Sequence, residues 1–238
     1  MEYDWYPGFF AELYAYDLFA ILNLSYPGSC NFLTLSIKVK GDRVALEPRL
    51  PGYPFDFARV ETLAGRWPSL QVLPLRQVAL WYSSLQLGTR QTAETSVEKL
   101  LFAMLHLSKR DDYAEAVIWI FYALETLVET RVGESVSTLV RRVSLLLGLD
   151  EKQKIALNKQ LRKLYDLRSS IVHGGYRVTH PIAQEVVDRS VGDERSRAID
   201  LFQFGFTIVV ACLQALIARG WTHLSFQETM AGNDAKNG

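Results

Sequence analysis

The spacing of hydrophobic residues in the N-terminal part of the chain changes from helical to strand-like. Between Phe10 and Leu22, apolar residues recur every three or four positions, which predicts a helix with one apolar face. Asp17 is the one polar exception on that face. Residues 31–40 then alternate between apolar and polar, and this period of two predicts a strand.

A turn and a second strand are predicted next. Gly41-Asp42-Arg43 is a turn signal, so Val44 to Glu47 is expected to return as the second strand of a hairpin before Pro48 ends it. Residues 51–74, bounded by prolines, are expected to be mostly loop. Residues 77–87 are apolar, and their spacing fits either a strand or a helix.

The pattern becomes helical almost throughout after residue 92. Five helices are predicted, each with a start or stop signal: Thr95 or Ser96 through Leu107, Asp111 to about Arg131, Ser135 through Leu147, Asp150 to His173, and about Glu194 to Arg219. Short connections between amphipathic helices predict an up-and-down bundle. The expected fold class is therefore mainly α, with a helical bundle over residues 93–225, a smaller α+β region over 1–92 and a polar tail over 226–238.

Composition limits the classes of function. The 238-residue chain carries 26 basic and 26 acidic residues, so no overall field attracts it to nucleic acid, and any basic surface is local. Cys30 and Cys212 are too few for a disulfide framework, and the histidines have no metal-ligand spacing. Neither a metal nor another cofactor is therefore expected. The N-terminus lacks the pattern of a signal peptide, which favours the cytoplasm.

One uncharged segment is nearly long enough for a membrane span. Residues 201–218 carry no charge, and this length approaches the ~20 apolar residues of a membrane span. Gln203 and Gln214 interrupt the run. A buried core helix is therefore expected here, and no contact with a membrane.

An arginine interrupts the apolar face of the fourth bundle helix. Arg168 shares this face, by a spacing of three or four residues, with Leu157, Leu161, Leu164 and Ile171. Because burying an unpaired guanidinium is costly, Arg168 is expected to face a carboxylate, an open cleft or another subunit. Glu125, on the apolar side of the second bundle helix, is a candidate partner. The pair is either a salt bridge that fixes the helix register or part of a catalytic site.

A histidine follows at the end of the same helix. His173 lies five residues after Arg168, which on a continuous helix places the two side chains about 140° apart. Gly174-Gly175 is expected to end the helix and to let His173 turn toward Arg168. His173 is then either a proton-transfer group or a stabilising cap beside the helix dipole.

The segment Leu164-Tyr-Asp-Leu-Arg-Ser-Ser-Ile-Val-His-Gly174 resembles the signature of HEPN domains, in which an arginine, four to six residues and a histidine lie at the end of a bundle helix. It is most similar to the Apea-like HEPN group, and Tyr122-Ala-Leu-Glu-Thr-Leu127 resembles that group's second helix. The resemblance covers roughly residues 93–220. Ser169 stands where asparagine most often follows the arginine, and it keeps a hydrogen-bonding hydroxyl. Tyr176 lies three residues after His173, so the His-x-Tyr variant of the family is not matched.

The resemblance implies a dimer that brings two Arg-His pairs into one cleft and, in many members, a metal-independent endoribonuclease. His173 would then act as general acid or base on the ribose 2′-OH or the leaving oxygen, while Arg168 would hold the phosphate and stabilise the transition state. Ser169 would orient the phosphate, and Glu125 would position Arg168 or assist proton transfer. The products would end in 2′,3′-cyclic phosphates, and DNA would be spared.

Local positive charge for substrate capture is available on the motif helix. Its first half carries, beside the single Glu151, the basic residues Lys152, Lys154, Lys159, Arg162 and Lys163. They form either a strip that binds the RNA backbone or an ordinary solvated helix face. Tyr165 either stacks on a base or packs at an interface, and Tyr176 is a further candidate for substrate contact.

Two functions of different classes follow. The first is an RNA-cleaving effector in antiviral defence or with a toxin-like role, with RNA, a second copy of the chain and an antitoxin or regulatory protein as partners. The second is a non-catalytic HEPN-like module that binds a nucleotide, RNA or a protein. Residues 1–92 contain no recognisable chemistry, and their pattern leaves three roles open: recognition of a trigger, restraint of the nuclease or completion of the fold.

Overall fold

The structure is a computed structural model that describes residues 6–39, 42–46, 49–109, 113–130, 136–180 and 182–226. These ranges contain eight helices and one two-stranded antiparallel sheet. In chain order the elements are α1 (Tyr6–Ser25), β1 (Leu35–Val39), β2 (Asp42–Leu46), α2 (Tyr53–Leu63), α3 (Leu75–Ser84), α4 (Ser96–Ser108), α5 (Tyr113–Leu127), α6 (Val136–Leu147), α7 (Glu151–Val172) and α8 (Arg189–Arg219). The expectation of a mainly α fold is confirmed.

The predicted hairpin is confirmed, with a shorter first strand and a second strand that begins two residues earlier. Leu35 pairs with Leu46 and Val39 with Asp42, so the sheet contains five residue pairs. Asp42, which the turn signal included, already belongs to β2. Gly41, Glu47 and Pro48 lie outside the described residues.

The first helix is present, but it buries a different face from the one expected. Phe10 and Tyr14 are 49% and 63% exposed, whereas the core receives Ala15, Phe19, Ala20 and Leu24. This side of α1 packs against α3 and α8, and its two alanines allow close approach of the backbones. The expected face, including Asp17, is left partly open.

The expectation that residues 51–74 are mostly loop is wrong for 53–63, which form α2. Pro54 lies in the first turn of this helix, where the missing N–H has no intrahelical partner to lose. The helix is held by Phe55, whose ring meets that of Phe206 on α8 edge-on at 4.8 Å. The ambiguous segment 77–87 is helical up to Ser84.

Most of the helix boundaries after residue 92 follow from capping residues. The Thr95 side chain and Glu98 form a capping box at the start of α4, and Asp150 forms one with Gln153 at the start of α7. Left-handed glycines end three helices: Gly148 after α6, Gly174 after α7 and Gly220 after α8. The predicted starts at Asp111 and Ser135 lie outside the described residues, as does the predicted tail beyond Phe226.

The last helix organises the core. α8 packs against each of the other seven helices, and one cluster of buried side chains extends from Phe19 in α1 to Ile217 in α8. Residue 92 therefore separates two sets of helices that share a single core. α8 is long and apolar enough to cross a membrane, but 72% of its most apolar window is buried within the fold.

Gln214 is a buried polar residue in the apolar part of α8, and its hydrogen bonds account for its burial. Its Nε2 donates to the carbonyl oxygens of Leu24 and Gln71 at 3.0 and 2.7 Å, and its Oε1 accepts from the Gln71 N–H at 2.8 Å. The side chain is 3% exposed, and it ties α8 to the end of α1 and to the α2–α3 connection.

Candidate active site at the end of α7

Arg168 and Glu125 meet between α7 and α5. Arg168 Nη1 lies 2.9 Å from Glu125 Oε1, and the two side chains keep 33% and 36% of their exposure. The sequence placed both residues on facing apolar sides, and the structure brings them into contact. Within the described part of the chain, this is the one hydrogen bond that the guanidinium makes, so most of its N–H donors remain available to a ligand.

An aromatic ring also helps to position the Arg168 guanidinium. The Arg168 Cζ lies 5.2 Å from the centre of the Phe121 ring, within the range of a cation–π contact. Tyr165 meets the same ring edge-on at 5.9 Å and is 44% exposed. Phe121 was not among the predicted site residues, although its position one turn before Glu125 places both on one face of α5. Arg168, Glu125 and Tyr165 thus form one continuous patch around Phe121.

His173 lies apart from that patch. It is the C-cap of α7, and its N–H still donates to the Ser169 carbonyl at 3.0 Å, as a helical residue does. The left-handed turn comes only at Gly174, with a φ of 76°. Because the helical path continues through His173, its exposed side chain stays about 140° around the helix from Arg168. The expectation that the glycines turn His173 toward Arg168 is therefore wrong for a single chain.

The residues next to His173 remain close to the helix end. Ser169 is partly buried in the last turn of α7. The Tyr176 N–H donates to the Ser170 carbonyl at 2.9 Å, which returns the chain onto the end of the helix after Gly174. Ser169, His173 and Tyr176 therefore belong to one local structure at the C-terminal end of α7.

The basic residues do not join the patch around Arg168. Lys159, Arg162 and Lys163 are all exposed, and helical geometry places them roughly 120–180° around α7 from Arg168. Arg162 Nε donates to Asn158 Oδ1 at 3.1 Å. The strip therefore faces solvent on the same side as His173, away from the contact with α5.

The described residues offer few groups for metal-dependent or thiol-based catalysis. Among the described residues, no group of three or more histidine, cysteine, aspartate or glutamate side chains could hold a metal ion. Burial raises the pKa of the Cys212 thiol to about 12, and burial likewise raises the pKa of Cys30 despite its hydrogen bonds to Ser29 and Asn23. Neither cysteine has the environment of a nucleophilic thiolate.

The geometry supplies a guanidinium with N–H donors to spare and a separate, solvent-exposed imidazole at one end of a helix. The guanidinium suits a phosphate. No protein-family model matches the chain, and no curated protein or solved structure matches it. The local chemistry therefore carries the functional argument.

Proposed function

We propose that this protein is a metal-independent endoribonuclease of HEPN type. His173 is the general acid and base, and Arg168 is the group that holds the scissile phosphate and stabilises charge in the transition state. Ser169 orients the phosphate, and Glu125 positions Arg168. The proposal extends the resemblance of residues 164–174 to HEPN domains.

One observation carries the proposal: among the described residues Arg168 is held by a single hydrogen bond, to Glu125, and it remains one-third exposed at the helix end that also bears His173. A purely structural arginine in a core is usually enclosed and fully bonded, because an unsatisfied buried charge is costly. Arg168 is instead positioned over Phe121 with donors left for an anion.

The divergence of Arg168 and His173 within one chain leads to a proposal about assembly. In a symmetric dimer, the Arg168 of one copy can face the His173 of the other. Exposed aliphatic residues between the last residue of α7 and the start of α8 support such a contact: Val172, Val178, Ile182, Val186 and Val187. We therefore place the active cleft between two copies of the chain.

Lys159, Arg162 and Lys163 would contact the RNA backbone, because they lie on the same side of α7 as His173. Such contacts are sensitive to salt and nearly independent of sequence. Tyr165 and Tyr176 would stack on bases beside the cleft. A cytoplasmic role in defence or as a toxin restrained by an antitoxin or regulatory protein agrees with this activity.

Cleavage of a mixed RNA pool in excess EDTA tests the reaction. We expect His173→Ala and Arg168→Ala each to lower the rate by about 100-fold or more. His223→Ala is the matched control, since His223 is an exposed histidine that follows the C-terminal end of α8. Products should carry 2′,3′-cyclic phosphates, and a DNA pool should stay intact. Equal activity of all four proteins would refute the proposal.

Mixing the two inactive variants tests the shared cleft. Equal amounts of Arg168→Ala and His173→Ala chains form heterodimers as about half of all dimers, and each heterodimer has one intact site of two. About a quarter of the wild-type activity should therefore return. If both variants dimerise but the mixture stays inactive, Arg168 and His173 act within one chain.

A non-catalytic binding module is the second candidate function. It is favoured by the wide angle between Arg168 and His173, which leaves a single chain with an anion site but no adjacent proton donor. In that case RNA binding in a gel-shift assay should weaken with Arg168→Ala and should not change with His173→Ala, while no RNA is cleaved.

A further inference from the structure

A cavity separate from the patch around Arg168 lies among the elements around α1. A cavity of about 580 Å³ opens between α1, the α3–α4 connection and α4, and we name it the α1–α4 cavity. Its volume is in the range of small-molecule sites. It shares no lining residue with the patch around Arg168, so what it binds is independent of the proposed ribonuclease.

Several aromatic rings line the α1–α4 cavity. α1 buries its other face in the core, so the rings of Phe9 and Tyr16 are left on the cavity side, and Phe102 from α4 lies on the wall as well. Partly exposed aromatic rings give a ligand a large apolar contact and a negative π-face. The wall therefore favours a flat apolar body, or a cation placed over a ring.

Asp17 is an acidic group within this cavity, and it is the polar exception in the helical pattern of the first helix. Its Oδ1 accepts a hydrogen bond from the Tyr82 hydroxyl at 2.6 Å. Burial raises the pKa of the Asp17 carboxyl, and the bond from Tyr82 opposes that shift. A half-buried carboxylate with a neutral partner is stabilised further when a cation joins it. Glu12 adds a second acidic group to the same lining.

The basic side chains that line the cavity already have partners. Arg90 forms ion pairs with Glu94 at 2.7 Å and with Glu98 at 2.8 Å. Lys109 donates to the Tyr16 hydroxyl, and its Nζ lies 5.3 Å from the centre of that ring. Tyr16 therefore already contacts an ammonium group of the same chain. Asp17, by contrast, has no cation among its partners in the described part of the chain.

We propose that the α1–α4 cavity binds a small molecule with a protonated amine on an aromatic or apolar body. The ammonium group donates to Asp17, and the body packs against Phe9, Tyr16 and Phe102. Charge selects the ligand, because the carboxylate repels an anion and a neutral analogue leaves it without a cation.

Three indole compounds of similar size test this charge selection on the full chain by calorimetric titration. Tryptamine carries the amine, tryptophol a neutral hydroxyl and indole-3-propionate a carboxylate. We expect tryptamine to bind at least about tenfold more tightly than tryptophol, and indole-3-propionate not to bind. Equal affinity for tryptamine and tryptophol would overturn the proposal, and so would the absence of tryptamine binding at millimolar concentration.

Two substitutions test whether the ligand binds at Asp17 in the α1–α4 cavity. Asp17→Asn keeps an acceptor for the Tyr82 hydroxyl but removes the charge, so the variant should fold and should bind tryptamine about tenfold more weakly. Asp200→Asn is the matched control, because Asp200 is an exposed aspartate on α8. Amide shifts in NMR spectra should change around Asp17 and not around Arg168. Unchanged affinity in Asp17→Asn would contradict the assignment.

Discussion

Gln214 and Arg168 are both polar residues on apolar helix faces, and the fold holds them in different ways. Gln214 lies in the middle of α8, is 3% exposed and has three hydrogen bonds to backbone groups of two other segments. Arg168 lies near the end of α7, is one-third exposed and has one bond to a side chain. The first arrangement connects parts of the fold, whereas the second leaves a charged group available.

The partners of a polar side chain on an apolar helix face indicate why it is there. A residue that satisfies backbone groups in the interior contributes to stability, because those groups have no other partner. A charged residue with one side-chain partner at a surface contributes little stability, and its placement is better explained by binding. Asp17 belongs to the second kind, since Tyr82 is its one hydrogen-bond partner in the described ranges and it lines a cavity.

The largest effect is expected for Gln214→Leu. The substitution leaves the carbonyls of Leu24 and Gln71 and the Gln71 N–H without their partner, which costs about 3–4 kcal/mol of the free energy of unfolding. Gln203→Leu is the matched control on the same helix and should change stability by less than about 1 kcal/mol. Urea denaturation followed by circular dichroism measures both. Equal stability of the two variants would show that the Gln214 bonds are dispensable.

Glu98→Gln should have the next largest effect, and it should depend on pH. Burial alone would raise the pKa of Glu98, but N–H groups of Glu94 and Thr95 and the Arg90 guanidinium outweigh it, so the pKa lies below its ordinary value of 4.5. Removing a carboxylate with these bonds costs about 2 kcal/mol at pH 7.

The sign of the pH dependence follows from the lowered pKa. The stabilisation by Glu98 is complete above the unfolded-state pKa and disappears as the pH falls through the folded-state pKa. The stability difference between wild type and Glu98→Gln should therefore be largest near neutral pH and should shrink toward pH 3. A constant difference across thermal melts from pH 7 to pH 3 would contradict this assignment.

Gly205→Ala tests close packing between α8 and α5. A Cβ at this position would lie 2.6 Å from Ile120 Cδ1 and 3.0 Å from its Cγ2, so the variant should lose about 1–2 kcal/mol. Gly175→Ala is the control, because the nearest atoms to its Cβ are 3.8 Å away. Adding Ile120→Val should recover part of the loss in urea denaturation. If it recovers nothing, the loss comes from another contact.

The smallest effect on stability is expected at the Arg168–Glu125 pair. A double-mutant cycle with Arg168→Ala and Glu125→Ala should give a coupling energy below about 1 kcal/mol, since both side chains are one-third exposed and water screens the charges. A coupling above about 3 kcal/mol would indicate a structural salt bridge that fixes the helix register.

Local signals in the sequence predicted much of the C-terminal half. Thr95 with Glu98, Asp150 and the glycines at 148, 174 and 220 mark helix ends because capping depends on residues within one turn. The contact of Arg168 with Glu125 was also predictable, since each interrupts an apolar face that has to meet another helix. The helix α2 was missed because proline was interpreted as a loop signal and not as a first-turn residue.

The sequence by itself determined the helical class, most helix boundaries and the residues that bear charge on apolar faces. Only the tertiary structure decided which face of α1 is buried and what Gln214 binds. The physical reason is the range of the interactions. Helix caps and periodicity act within one or two turns, whereas the burial of α1 and the hydrogen bonds of Gln214 depend on segments more than a hundred residues apart.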